Sequence, residues 1–196
     1  APDGSAKTSL LSPRQRDYKI QRIDGLKSTM VTPPATVLAR IKSDGEAVRA
    51  ARQLQAQLGD FWRGFDWPAM GRISGIYGSQ RILNGQPRQP HYGIDIAAPT
   101  GTPVYAPASG LVTLVEDLYF SGHTVVIAHG LGVNSSFLHL DRADVKTGMM
   151  VERGALIGTI GATGRATGPH LDWRIDWQGR RIDPGLLVGA MPNPAS

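Results

Sequence analysis

From Asp66 onward the chain consists of short runs of β-branched and aromatic residues cut by glycine and proline. That texture limits its fold more than any other feature. "GRISGIYG", "HYGIDIA", "TPVYA", "GLVTLVED", "HTVVIAH", "NSSFLHL", "ALIGTIGA" and "HLDWRIDW" follow one another with turn residues between them. Such spacing predicts a mainly β domain, an antiparallel sheet closed into a sandwich or barrel. Successive side chains of a strand point to opposite faces. In "HLDWRIDW" this assigns Leu171, Trp173, Ile175 and Trp177 to a core face, and His170, Asp172, Arg174 and Asp176 to a groove or solvent. The same parity groups Tyr92, Ile94 and Ile96 against His91, Gly93, Asp95 and Ala97, and sets His139 on the face of Phe137.

Residues 1–65 have a different texture. Tyr18, Ile20 and Ile23 suggest a strand or two, and Pro33 and Pro34 then break the chain. "SDGE", Ser43 to Glu46, has the spacing of a capping box. Val48, Ala51, Leu54 or Gln55, Leu58 and then Phe61 or Trp62 recur at helical spacing, which predicts a helix over 45–58 with Gly59 as its stop. The expected organisation is an N-terminal arm with a linker helix over 1–65, a β domain over 66–188 and a tail over 189–196.

The chain has no cysteine, which excludes disulfides, thiolate zinc sites and cysteine nucleophiles. A metal ion would have to be held by nitrogen and oxygen. The net charge of +5 and an isoelectric point near 9.8 favour an anionic partner. The basic residues are scattered and aromatics are only 7%, so nucleic acid is not the expected one. No stretch approaches a transmembrane helix in length, and no signal sequence heads these residues.

Of five histidines, His91, His139 and His170 sit on strand-like runs beside apolar neighbours, while His123 and His129 bracket "TVVIA". His91 and Asp95 share a face, with Gly93 leaving room between them. Imidazole and carboxylate groups on rigid strands are what a hydrolytic zinc site uses: three protein ligands and one open position. The rival motifs are missing, namely HExxH, GxSxG and a Walker loop. The glycine-rich "GATGRATG", Gly161 to Gly168, has no lysine and precedes a strand, so it reads as a tight loop on a groove rim.

The order "HYGID", "GTPVYAPASGLV", "HTVVIAHG", "FLHL", "VERGALIGTIGATGRATGPHLDW", from about Gly71 to Pro184, resembles the LytM/lysostaphin-type zinc metallopeptidases, which cut peptide bonds in bacterial peptidoglycan. The resemblance implies a β fold with a narrow groove, one zinc ion, His91 and Asp95 as ligands, and His139 and His170 as catalytic partners. It implies peptidoglycan as the partner and a site of action in the periplasm or cell envelope. One departure stands out: the family's last ligand, a histidine, is here Asp172. Aspartate has the reach, and zinc accepts its oxygen at about 2.0–2.2 Å. Two carboxylates would cancel the charge of the ion, leave a bound water less acidic, and make manganese or similar ions acceptable. The competing reading has Asp172 bind no metal and form a salt bridge with Arg174 or another basic residue. A second departure is Phe137, where relatives often carry tyrosine, so a hydroxyl that would help an oxyanion is missing.

Two functions follow from the resemblance. One is a metal-dependent endopeptidase. The other is an impaired module that binds the cell wall or activates other cell-wall hydrolases. Oligomeric state is not legible in the sequence.

Overall fold

The computed structural model describes residues 8, 10, 12, 15–54, 56–57 and 59–192. The chain order is β1 (Ile20–Ile23), α1 (Ser28–Val31), α2 (Leu38–Gln53), β2 (Arg72–Gly75), β3 (Gln80–Leu83), β4 (Gln86–Pro87), β5 (Ile94–Ala97), β6 (Pro103–Tyr105), β7 (Gly110–Leu118), β8 (Gly122–Gly130), β9 (Val133–Ala143), β10 (Met150–Val151), β11 (Leu156–Ile160), β12 (His170–Trp177) and β13 (Arg180–Ile182). All eight strand runs of the sequence reading carry strands.

The main sheet runs β10-β7-β8-β9-β12-β5-β2, with β13 added to β12, and β11 bridging the end of β9 to β6. Its pairings are antiparallel. A smaller sheet, β1-β3-β4, ties the arm to the domain by a parallel pairing of Ile20 with Gln80 through Ile23 with Leu83. One face of the main sheet closes the core. Phe137, Leu171, Trp173, Ile175, Ile96 and Ile127 are fully buried there. Trp177 departs from the parity assignment: it ends β12 beyond the core, is half exposed, and donates its indole N–H to Leu131 O at 3.2 Å.

The helix lies elsewhere than the spacing suggests. α2 begins at Leu38, directly after the proline break, and ends at Gln53. Ser43 to Glu46 is therefore interior to the helix and caps nothing. Asp44 instead accepts the backbone N–H of Tyr119 at 2.7 Å. Ala47, Val48 and Ala51 pack on Leu114, Leu118 and Val126 of β7 and β8, whereas Leu54 is half exposed. Gln55 and Leu58, two of the positions expected on the helix, lie outside the described residues. Gly59 is fixed by packing: its N–H bonds His129 O at 2.8 Å, and a side chain there would collide with Ser109 O. The helix thus lies over β7 and β8, and Arg52 at its end reaches Ser136 of β9 and Asp176 of β12. A groove of about 940 Å³ lies between α2 and the polar residues of β9 and β12, Ser136, His139, Asp172 and Arg174 among them.

Candidate active site

β12 and β5 are neighbours in the sheet, and their register sets Asp172 directly opposite Asp95. Two carboxylates facing each other across a strand pair destabilise a sheet unless something compensates. Here Asp172 is fully buried and Asp95 nearly so. His91, just before β5, completes the group; its backbone is pinned by His91 N–H to Ser79 O at 2.8 Å and Gly78 N–H to His91 O at 2.7 Å. His91 Nε2 lies 3.1 Å from Asp95 Oδ1 and 3.3 Å from Asp172 Oδ1. Gly93 makes the convergence possible, because a side chain at that position would overlap Asp172 Oδ1.

These atoms are close without being hydrogen-bonded to one another. Both nitrogens of His91 and Oδ1 of Asp95 are buried and have no hydrogen-bond partner. Around a tetrahedral ion bonded at about 2.0–2.2 Å, neighbouring ligand atoms sit about 3.3–3.6 Å apart. The donors of His91, Asp95 and Asp172 all fall within 4.8 Å of one another. The nitrogen-oxygen donor set fits a zinc-sized cation.

Arginines hold the far oxygen of Asp95 and both oxygens of Asp172. Arg81 of β3 binds Asp95 Oδ2, and Arg174, two residues along β12, forks onto Asp172 at 3.0 and 3.1 Å through Nε. The salt bridge of Asp172 with Arg174 is therefore present, and Oδ1 is shared, 3.0 Å from Arg174 Nε and 3.3 Å from His91 Nε2. Burial pushes both carboxyls up, but His91 and the arginines outweigh it and hold Asp95 below, and Asp172 well below, the usual carboxylate range. Burial pulls His91 down, and the Asp172 and Asp95 carboxylates outweigh that to raise it. The arginines also alter the charge argument made from sequence. A divalent ion on one imidazole and two carboxylates is neutral, but the two guanidinium groups restore two positive charges.

His139 and His170 stand beside this group, ring centroids 4.8 Å apart. Strict alternation would send His139 into the core with Phe137. Instead the β8–β9 register slips between His123 and Val125, and His139 takes a left-handed backbone with φ of 64°. The irregularity turns the imidazole to the groove while Phe137 and Leu140 stay in the core. Such strain in a non-glycine residue costs on the order of 1 kcal/mol and clusters at functional sites. The missing hydroxyl at Phe137 loses its significance, since that ring is fully buried away from the groove.

The glycine-rich loop Gly161–Gly168 orients both rings. His139 Nδ1 donates to Thr163 O at 2.8 Å, and His170 Nδ1 donates to Gly168 O at 2.8 Å. A carbonyl accepts only, so each neutral ring presents an unprotonated Nε2. Thr163 is itself held by its hydroxyl to Leu140 O at 2.8 Å. Burial, with His170 adjacent, pushes His139 down to about 4.

All five residues singled out from the sequence meet here, while His123 and His129 do not join them. His123 binds Asp141 O at 2.8 Å, and His129 is enclosed by Ser109 O and the Ser135 hydroxyl. Sequence reasoning missed Arg81, Arg165 and Arg52 as groove residues. Only Arg174 left a signal, its two-residue spacing from Asp172.

The β domain thus sets buried His-Asp-Asp donors beside two oriented imidazoles. The model of peptidase family M23 matches residues 89–184. Peptidoglycan DD-endopeptidase ShyA of Vibrio cholerae is 41% identical over 113 residues, 57% of this chain and 26% of ShyA. A peptidase M23 from Pseudomonas aeruginosa superposes with a TM-score of 0.71 at 39% identity, covering 80% of this chain and 64% of that one. LytU superposes with a TM-score of 0.52 at 35% identity, covering 61% and 85%. The chain belongs to peptidase family M23, with structural neighbours of the LytM/lysostaphin type. It spans about a quarter of the length of the curated relatives it matches first.

Proposed function

We propose that this chain is a zinc-dependent endopeptidase that hydrolyses peptide bonds in the stem peptides or cross-links of bacterial peptidoglycan, in the periplasm or cell envelope. The observation that carries the reading is the set of buried donor atoms at metal-ligand spacing beside two imidazoles with free Nε2 atoms. Relatives named as peptidoglycan DD-endopeptidases support the substrate class.

His91, Asp95 and Asp172 would hold the ion. Its contribution when bound is Lewis acidity, which polarises a carbonyl and makes water a better nucleophile. The histidines do the proton work. His139 is neutral through the physiological range, and its Nε2 is set to accept a proton from the attacking water. The proton taken by His139 can pass on to the leaving amine. His170, in ring contact with His139, would donate to the developing oxyanion in its protonated form, in which Nε2 carries a hydrogen while Nδ1–H stays on Gly168 O. The Thr163 and Gly168 carbonyls fix both rings, so neither has to reorganise during the reaction.

The non-catalytic alternative draws on one observation, the Arg174 fork on Asp172, which ties up part of the third ligand. Mass spectrometry of purified peptidoglycan after incubation separates the two. The enzyme reading expects new peptide termini that vanish with a chelator and return with zinc. Intact peptidoglycan with every divalent metal would transfer the chain to a wall-binding or hydrolase-activating role, with other cell-wall proteins as its partners.

A further inference from the structure

The groove beside the metal-ligand group is lined by six arginines against two aspartates. Most of this charge is answered within the fold. Arg52 meets Asp176 at 3.0 Å and Arg181 approaches the same carboxylate at 3.7 Å, while Arg81 and Arg174 hold Asp95 and Asp172. Arg49 is exposed to water. That leaves Arg165, half-buried and, among the described residues, without a carboxylate within ion-pair distance. It comes from the glycine-rich loop that orients the histidine pair.

The guanidinium of Arg165 is held in place. Its carbon stacks 4.5 Å from the centre of the Phe120 ring, its backbone N–H bonds Phe120 O at 2.8 Å, and Nη1 donates to Met30 O at 3.3 Å. The preceding Gly164 has φ of +68° and lies so close to Phe120 O and Gly122 N that no side chain would fit, which locks the loop on the β7–β8 turn. Arg165 borders two cavities at once. One is the 940 Å³ groove containing His139 and Asp172; the other is a 290 Å³ pocket containing His170 and Asp95. It therefore stands where a substrate crossing the site passes. Burial, then the like charges of Arg81, Arg174 and Arg88, lower its affinity for its own proton to a pKa of about 10, a cost that an incoming anion would relieve.

We propose that Arg165 is a specificity-determining residue that takes a free carboxylate of the substrate peptide, close to the bond that is cut. The planar guanidinium fork matches a carboxylate, and Met30 O occupies only one of its five N–H donors. The proposal rests on the peptidase reading of the same site and makes it more specific: the substrate is an acidic peptide, and amidating it removes the group that is recognised.

The test is binding without hydrolysis. Metal-free protein in chelator is titrated with synthetic L-alanyl-γ-D-glutamyl-L-lysyl-D-alanyl-D-alanine, and with the same peptide carrying amides at both carboxylates, followed by NMR. The acid is expected to bind at least about tenfold tighter than the amide, as charged hydrogen bonds of this type imply. Arg165→Gln is expected to bring that ratio near one without changing amide binding, and Arg165→Lys to keep part of it. Equal binding of acid and amide by the native protein overturns the proposal, as does an Arg165→Gln variant that weakens both peptides alike or keeps the ratio. Because nothing is cleaved in this assay, discrimination without peptidoglycan hydrolysis would remove the enzyme reading alone, and hydrolysis without discrimination would remove the carboxylate site alone.

Discussion

His129, at the end of β8, and His139, in the groove, differ in one respect that separates structure from chemistry. Both are almost completely buried, and burial pushes both down to about 4. His129 has a partner for each nitrogen, Ser109 O at 2.9 Å and the Ser135 hydroxyl at 2.8 Å. His139 has a partner for Nδ1 only, and its backbone is strained to aim Nε2 at the groove. Burial and a depressed pKa do not mark a functional histidine; an unclaimed nitrogen at an open position does. His91 extends the series, with no hydrogen-bond partner on either nitrogen.

Alanine at each position should break that comparison most visibly. His139→Ala and His170→Ala are each expected to lower peptidoglycan cleavage by about 10²–10⁴-fold, the range for removing a positioned proton donor or acceptor. His129→Ala should keep turnover per folded molecule within about threefold. It should also lose about 2–4 kcal/mol in urea unfolding, since it leaves a cavity and two unpaired polar groups. Full activity in His170→Ala would end the catalytic assignment of that residue.

Acid should act on the two histidines alike. Their folded pKa values, about 4, lie below the unfolded value near 6.5, so folding favours the neutral form. Their stabilisation is complete above about pH 6.5 and is lost as pH falls from there toward 4, by up to about 3 kcal/mol each. His91, raised in the folded protein, works in the opposite direction: its contribution is present below about pH 6.5 and fades as pH rises through its folded value. Urea titrations at pH 7, 6 and 5 in chelator should show a net acid loss, and His129→Phe should remove more than half of it, because His91 offsets part of the combined loss. The smallest effect belongs to Arg174→Gln. With the fork gone from Asp172, a metal ion should bind more tightly, while the pH–rate profile of cleavage moves to higher pH because a positive charge has left the site.

Legibility followed the regularity of the local structure. β12 reads off the sequence because period-two alternation is enforced by a sheet with one apolar face, and the placement of Asp172 beside His91 and Asp95 came with it. His139 did not, because a register slip and a positive φ break the alternation that parity assumes. The position of α2 was missed since its buried stripe is only Ala47, Val48 and Ala51, too narrow to set its ends. Arg81, Arg165 and the arm strand β1 reach the site through long-range pairings that no spacing in the chain encodes.

Asp172 is the proposed third ligand although Arg174 already holds it. The most direct test is the metal content of purified protein, by inductively coupled plasma mass spectrometry after zinc loading and desalting, for the native chain and Asp172→Ala. One zinc ion per native chain is expected, with near-complete loss in the variant and folding intact by circular dichroism. One ion bound with equal affinity by both proteins would contradict that assignment.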